Sequence, residues 1–297
     1  RFENEVTSGM ADLSSHHSIT VTPLSPEIGA EVKGLDLNQA IDETTYQQVR
    51  DALLKHLILL FRDQDISPEQ HITFSRWFGE LSIHVVSDCL LPDHPEILVV
   101  SNVKENGRPI GLHGSSRLFH SDIAYQDEPS MGSLFLCREC PPRGGETEFA
   151  NMYAAYEALP EERRTWLEQQ RVVNDYIYHY EAYEKHRKPL TDEQKAKLKP
   201  AVHPAVRTHP ETGRKAIFLS QSHTSHFEGV EINESRRIIQ EVTEFCAQPQ
   251  FVYRHRWRTG DLVFWDNRCS MHRVLPWDDQ YRRLMHRTTI KGDKPYI

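Results

Sequence analysis

The sequence predicts a mainly β domain, a sandwich or barrel, with helices packed on its outside. From Gly79 onward, short apolar runs (97–101, 132–137, 216–220, 251–257, 261–265 and 283–290) alternate with clusters of Gly, Pro, Asn and Asp. Many short strands separated by turns give that texture. Helical pieces interrupt the runs without replacing them, and 297 residues can fill one large β domain.

The elements follow in order. Residues 1–16 mix small and polar side chains without periodicity and read as a loose leader, so the single domain is placed at 17–297. "SITVTPL" alternates as a strand does, and "EIGAEVKGLDL" carries glycines where turns are wanted. Val49, Leu53, Leu54 and Leu57 recur at helical spacing from Glu43 to Leu57, after which the apolar run to Phe61 reads as a buried strand. Ser67, Pro68 and Gln70 stand at Ncap, N1 and N3 of a second helix. Further helices are expected at Asn151 to Leu159, Glu161 to Gln169, Thr191 to Lys199 and Glu234 to Ala247. The last puts Ile238, Ile239, Val242 and Phe245 on one side as a buttress for a sheet. Residues 175–200, charged and rich in tyrosine, look like a lid-like insertion.

Composition narrows the function. Thirty-five basic against 43 acidic side chains leave 35 − 43 = −8, which gives no whole-molecule attraction to nucleic acid or anionic membrane. With no run of 18 apolar residues and no signal-peptide order at the start, a cytoplasmic protein is expected. Five scattered cysteines suggest no disulfide framework. Cys137 and Cys140 form one CxxC, but no second ligand pair follows at zinc-ribbon spacing, so both read as packed or partly exposed thiols.

Seventeen histidines make His-x-acid pairs common by chance: 94/96, 120/122, 179/181, 209/211 and 226/228. Proline separates the members of His94/Glu96 and His209/Glu211, which read as turns. His120/Asp122 lies in "RLFHSDIAY", extended in character, where positions i and i+2 could place an imidazole and a carboxylate on one side. A mononuclear iron site of two histidines and one carboxylate needs a third ligand far along the chain. His272 is the candidate, after "GDLVFWDNRCSMH", in which Leu262 to Trp265 make a strand and Asp266 and Asn267 can hold a loop. In "YRRLMHRTTI", Arg283 and Arg287 share a strand face about 13 Å apart, a costly pairing unless anions meet them.

At these residues the chain resembles the taurine and aryloxyacetate dioxygenase family of iron(II), 2-oxoglutarate-dependent oxygenases. The likeness runs from about Ile19 to Pro295 and is carried by "GAEVKGLDL", "FSRWFGELSIH", "FHSD", "PPRGGETEFANMYAAYEALP", "HPAVRTHPETGRKAIFLS", "FVYRHRW", "GDLVFWDNRCSMH" and "RRLMHRTTIKGDKPY". The resemblance implies a double-stranded β-helix (jelly-roll) core with His120, Asp122 and His272 as ligands of Fe(II). It implies Thr147 and Arg283 as partners of the far carboxylate of 2-oxoglutarate, which with O2 is the cosubstrate, and Arg287 and His84 as contacts of the prime substrate. The implied reaction hydroxylates a C–H of a small or aromatic anion, releasing succinate and CO2.

Departures bear on the substrate. Ser87 and Ser116 stand where taurine enzymes carry tyrosine and asparagine, which shrinks two polar side chains and speaks against taurine itself. "SQSHTSHFEG" and Arg108 are nearer the aryloxyacetate enzymes, whereas "MHRTTIKGDKPY" is nearer the taurine enzymes. The expectation is therefore an organosulfonate or sulfate ester, with an aryloxyalkanoate as alternative and substrate contacts at Arg287, His84, Arg108 and Ser116. His223 and His226 read equally as loop histidines without a catalytic part. The partner is a small organic anion, with neither nucleic acid nor membrane, and a homo-oligomer is expected. From another class, a cupin-like protein that binds metal and anion without oxygen chemistry, or a zinc hydrolase using the same ligands, stays open.

Overall fold

The computed structural model describes residues 18–84, 87–113, 117–185 and 188–297. The proposed leader, like Ser116, lies outside them. The chain opens with strands β1 (Thr20–Pro23) and β2 (Ala30–Lys33), helix α1 (Glu43–His56), β3 (Ile58–Phe61) and α2 (Pro68–Arg76). Next come β4 (Leu90–Leu91), β5 (His94–Ser101), the hairpin β6 (Lys104–Glu105) and β7 (Arg108–Pro109), β8 (Gly132–Glu139) and β9 (Thr147–Asn151). Helices α3 (Met152–Ala158) and α4 (Glu161–Glu168) precede β10 (Arg171–Asn174), α5 (Tyr176–Tyr183) and α6 (Asp192–Lys197). Four strands follow, β11 (Ala201–Pro204), β12 (Val206–Thr208), β13 (Lys215–Ile217) and β14 (Thr224–Phe227), and then α7 (Ile232–Cys246). The chain closes with β15 (Val252–His255), β16 (Leu262–Asp266), β17 (Ser270–Val274) and β18 (Leu284–Ile290).

Eight strands form one sheet in the order β1-β2-β3-β16-β8-β18-β5-β4, faced by a smaller sheet β15-β9-β17. This is the double-stranded β-helix the sequence implied. The central strands are apolar throughout because both faces are covered, and the two-residue period divides their side chains. Leu59, Phe61, Leu134, Leu136, Leu262 and Phe264 pack with α1 and α2. Ile58, Leu60, Phe135, Val263 and Trp265 point the other way, toward the smaller sheet and the helices behind it. At Gly132 the strands approach so closely that a Cβ would lie 2.6 Å from the Trp265 carbonyl oxygen.

The helix signals act as expected. Asp42 caps α1 through the Thr45 N–H, and Ser67 and Gln70 make both bonds of a capping box on α2. Ile238, Ile239 and Val242 of α7 are buried. The Pro95-containing segment departs from expectation: it is the start of β5 and not a turn, because the proline precedes the residues that pair with β18. Cys137 is buried in β8, Cys140 is half-buried just beyond it, and neither is in a disulfide. No helix among the described residues is long and apolar enough to cross a membrane.

Candidate active site

The site lies between the two sheets. His120 and His272 face each other as an isolated antiparallel bridge, each N–H donating to the other's carbonyl oxygen at 3.0 and 2.9 Å. Such a pair sends both side chains to the same side, and the rings come to 4.3 Å between centroids. The extended reading of "FHSD" holds only for its histidine. Asp122 already belongs to a turn, and Ile123 adopts a left-handed φ of 58°. The turn swings the carboxylate back so that Oδ1 lies 3.9 Å from His120 Nε2 and 3.8 Å from His272 Nε2.

All three residues are buried, and their chemistry suits a cation. His120 Nδ1–H donates to the Leu118 carbonyl at 2.8 Å, so its Nε2 keeps a lone pair for a ligand. Burial holds both imidazoles neutral, with His272 pushed down to about 3 by desolvation and then by His120. Burial also works to raise the Asp122 carboxyl. The Arg287 guanidinium, aided by the Ser133 hydrogen bond, outweighs it and keeps the group below the usual carboxylate range. Two neutral imidazoles and one carboxylate form the donor set a divalent metal needs.

A layer behind fixes the carboxylate. Asp122 Oδ2 accepts from Ser133 Oγ at 2.8 Å and from Asn267 Nδ2 at 3.4 Å. Asn267 Oδ1 also accepts the Asp122 N–H at 3.2 Å and Trp265 Nε1–H at 3.0 Å. Trp265 itself packs 4.7 Å from the His272 ring. A second triad, His209, Asp266 and Cys269, has comparable spacing. There, both Asp266 oxygens are already engaged by Arg268, one also by His209, so it is an ion-pair staple of the β16–β17 turn.

Arg283 and Arg287 line the same cavity as the triad, as do Thr147 and His84. Arg283 is 2% exposed, lies over Phe135 and Trp277 at 5.7 and 5.2 Å, and its Nε is buried without a hydrogen-bond partner. Burial lowers it to about 10, and no carboxylate is among the groups acting on it. Gly145, at φ 71°, lets the backbone pass beside it: a Cβ there would meet Arg283 Cδ and Nε at 3.4 Å. Thr147 Oγ1 accepts from Trp257 Nε1 at 2.9 Å. Arg287 Nη1 donates to Asp122 Oδ1 at 2.7 Å.

Not every expected residue gathers here. Arg108 is exposed on the β6–β7 hairpin and is not among the cavity's lining residues. Ser87 is exposed and likewise not among them. His223 is buried in the cavity wall, 5.3 Å from the Tyr125 ring, while His226 is half-buried on β14 and hydrogen-bonds to Ser225. The reading from the sequence missed Tyr125, Tyr176, His179 and Trp277. Tyr176 and His179 sit in the tyrosine-rich segment read as a lid-like insertion, without either residue being singled out; their i, i+3 spacing on α5 puts them on one face.

A buried triad of two histidines and an aspartate, with a guanidinium lacking a carboxylate partner in the same cavity of a jelly roll, is the arrangement a metal-dependent oxygenase of the 2-oxoacid type would use. The family described as taurine catabolism dioxygenase TauD, TfdA matches residues 20–289, and the chain belongs to that family. It is thus an alpha-ketoglutarate-dependent dioxygenase. It is 35% identical to an alpha-ketoglutarate-dependent 2,4-dichlorophenoxyacetate dioxygenase of Cupriavidus pinatubonensis, over 93% of this chain and 99% of that one. Among solved structures it is similar to AAD-2 in complex with Mn(II) and N-oxalylglycine, at 33% identity and TM-score 0.84, over 94% and 99% of the two chains. A taurine dioxygenase from Burkholderia xenovorans is similar at 31% identity and TM-score 0.79, over 94% and 91%.

Proposed function

We propose that His120, Asp122 and His272 hold Fe(II), that Arg283 and Thr147 hold 2-oxoglutarate, and that the prime substrate is a small organic anion gripped by Arg287. When bound, iron and 2-oxoglutarate supply the oxidation: one atom of O2 enters succinate as CO2 leaves, and the other enters a substrate C–H as hydroxyl. Arg283 carries the reading, because a guanidinium buried this deeply without a carboxylate calls for an anionic ligand. Its charge and planar donors would orient the far carboxylate of the diacid, and Phe135 and Trp277 keep water from it.

The cavity walls favour an aryloxyalkanoic acid, reversing the order expected from sequence. Tyr125, Tyr176, Phe135, Trp265 and Trp277 offer ring faces, and Tyr125 and Tyr176 lie 4.7 Å apart. Hydroxylation beside an ether oxygen would give a product that falls apart to phenol and an oxoacid without further catalysis. An organosulfonate or sulfate ester is the second reading, supported by the likeness to the Burkholderia taurine dioxygenase. Helix α5, which brings Tyr176 and His179 to the wall, serves as the lid.

The test is succinate release from 2-oxoglutarate with Fe(II), ascorbate and O2 over a panel of phenoxy acids, sulfonates and sulfate esters. Succinate formation stimulated by a phenoxy acid supports the reading; Zn(II)-supported ester hydrolysis without 2-oxoglutarate overturns it. Loss of turnover in His120→Ala is expected. Arg287→Ala should raise the prime-substrate KM with 2-oxoglutarate binding nearly unchanged, and an equal loss of both would reassign that arginine.

A further inference from the structure

The two oxygens of Asp122 are held for different ends. Oδ2 is fixed by Ser133 and Asn267, both on the protein side of the carboxylate. Oδ1 faces the two imidazole Nε2 atoms and also accepts Arg287 Nη1 at 2.7 Å. Arg287 has no second carboxylate within ion-pair distance among the described residues, and its Nε is buried without a hydrogen-bond partner. The ligand oxygen and the substrate anchor are therefore already bonded to each other.

We propose that Arg287 is a positioning residue that couples the metal to the substrate anion through Asp122 Oδ1. This rests on the assignment of Arg287 to the prime substrate. The guanidinium engages the oxygen a metal would use and sets a positive charge beside the cation's place. An anion taken up by Arg287 offsets that charge and draws its donors away from Oδ1. The metal then binds more tightly, and by linkage the metal strengthens anion binding by the same factor. The Oδ2 clamp makes this workable, because the carboxylate cannot turn to follow the arginine.

The test is a calorimetric titration of the full chain with Mn(II), at saturating 2-oxoglutarate without O2, with and without phenoxyacetate or methanesulfonate. Arg287→Gln should bind Mn(II) about tenfold more tightly than wild type without added anion, and anions should no longer change its affinity. In wild type, which needs no substitution to be informative, either anion should tighten Mn(II) binding by about the same factor. If Arg287 only held the Asp122 rotamer, Arg287→Gln would weaken Mn(II) binding; that result, or unchanged affinity together with an anion-insensitive wild type, overturns the coupling. Mn(II) failing to bind wild type at all would overturn the metal assignment as well, whereas Mn(II) binding with succinate production but no coupling would overturn this inference alone.

Discussion

Replacing Arg283 by methionine should stabilise the ligand-free protein while destroying cosubstrate binding. Burial lowers the guanidinium from its ordinary value to about 10. At about 1.4 kcal/mol per tenfold, that difference corresponds to a cost of roughly 3 kcal/mol for keeping the charge in place. The sign is set by the direction: a base lowered on folding opposes folding at every pH where it stays charged, so the cost is fully present at pH 7 and is relieved only above about pH 10. Methionine removes the charge and keeps an apolar chain against Phe135 and Trp277, at the loss of cation–π contacts worth about 0.5–2 kcal/mol. A net gain of about 1–3 kcal/mol remains, which for a domain this large raises Tm by roughly 2–8 °C. Thermal melts of wild type and Arg283→Met, each with and without Mn(II) plus 2-oxoglutarate, measure both effects. Wild type should melt higher with the pair of ligands than with Mn(II) alone, and Arg283→Met should show no increment from 2-oxoglutarate. A ligand-free Arg283→Met that melts below wild type, or one that 2-oxoglutarate still stabilises, would refute the reasoning.

Three further substitutions probe the surroundings. Asn267→Ala strands the Asp122 N–H and Trp265 Nε1–H, so denaturant unfolding should show a loss of about 2–4 kcal/mol and calorimetry a 10- to 100-fold weaker Mn(II) affinity (order of magnitude). His71, fully buried on α2 against Thr288, is pushed down to about 3 by desolvation and then by His286; an imidazole lowered on folding loses stability as pH falls below 6.5. Denaturation curves of His71→Phe between pH 6 and 4 should therefore decline less steeply than wild type, by about 1.4 kcal/mol per pH unit, and parallel curves would count against a neutral His71. Gly145→Ala places a Cβ 3.1 Å from Pro141 Cγ and 3.4 Å from Arg283 at a left-handed φ, costing about 1–2 kcal/mol, and the KM for 2-oxoglutarate should rise more than that for the prime substrate.

Much of this was legible in the chain because the signals were local. Ser67, Pro68 and Gln70 specify a helix start within four residues, and the apolar run Ile58 to Phe61 reads as a strand covered on both faces, with Leu57 before it closing α1 as its left-handed C-cap. The pairing of Arg283 and Arg287 was visible from their four-residue spacing; Arg287 lies on β18 and Arg283 just before it, across a register shift at Leu284/Met285, and both line the cavity. The route of Asp122 into the site was not legible, since it depends on a turn with Ile123 in the left-handed region, a conformation no β-branched residue advertises. The contribution of α5 was hidden for a different reason: Tyr176 and His179 look polar in sequence, yet they face a cavity formed by strands far from them in the chain. Arg108 misled because likeness of position along the sequence does not fix where a two-residue hairpin points.

The peptide bridge between His120 and His272 has a consequence for metal exchange. Their spacing is inherited from two backbone hydrogen bonds, one on each side of the pair, and so belongs to the sheet whether or not an ion is held. A chelator should strip the cation and leave a folded, ready receptacle, so that one divalent ion can be swapped for another without the chain having to be rebuilt around it.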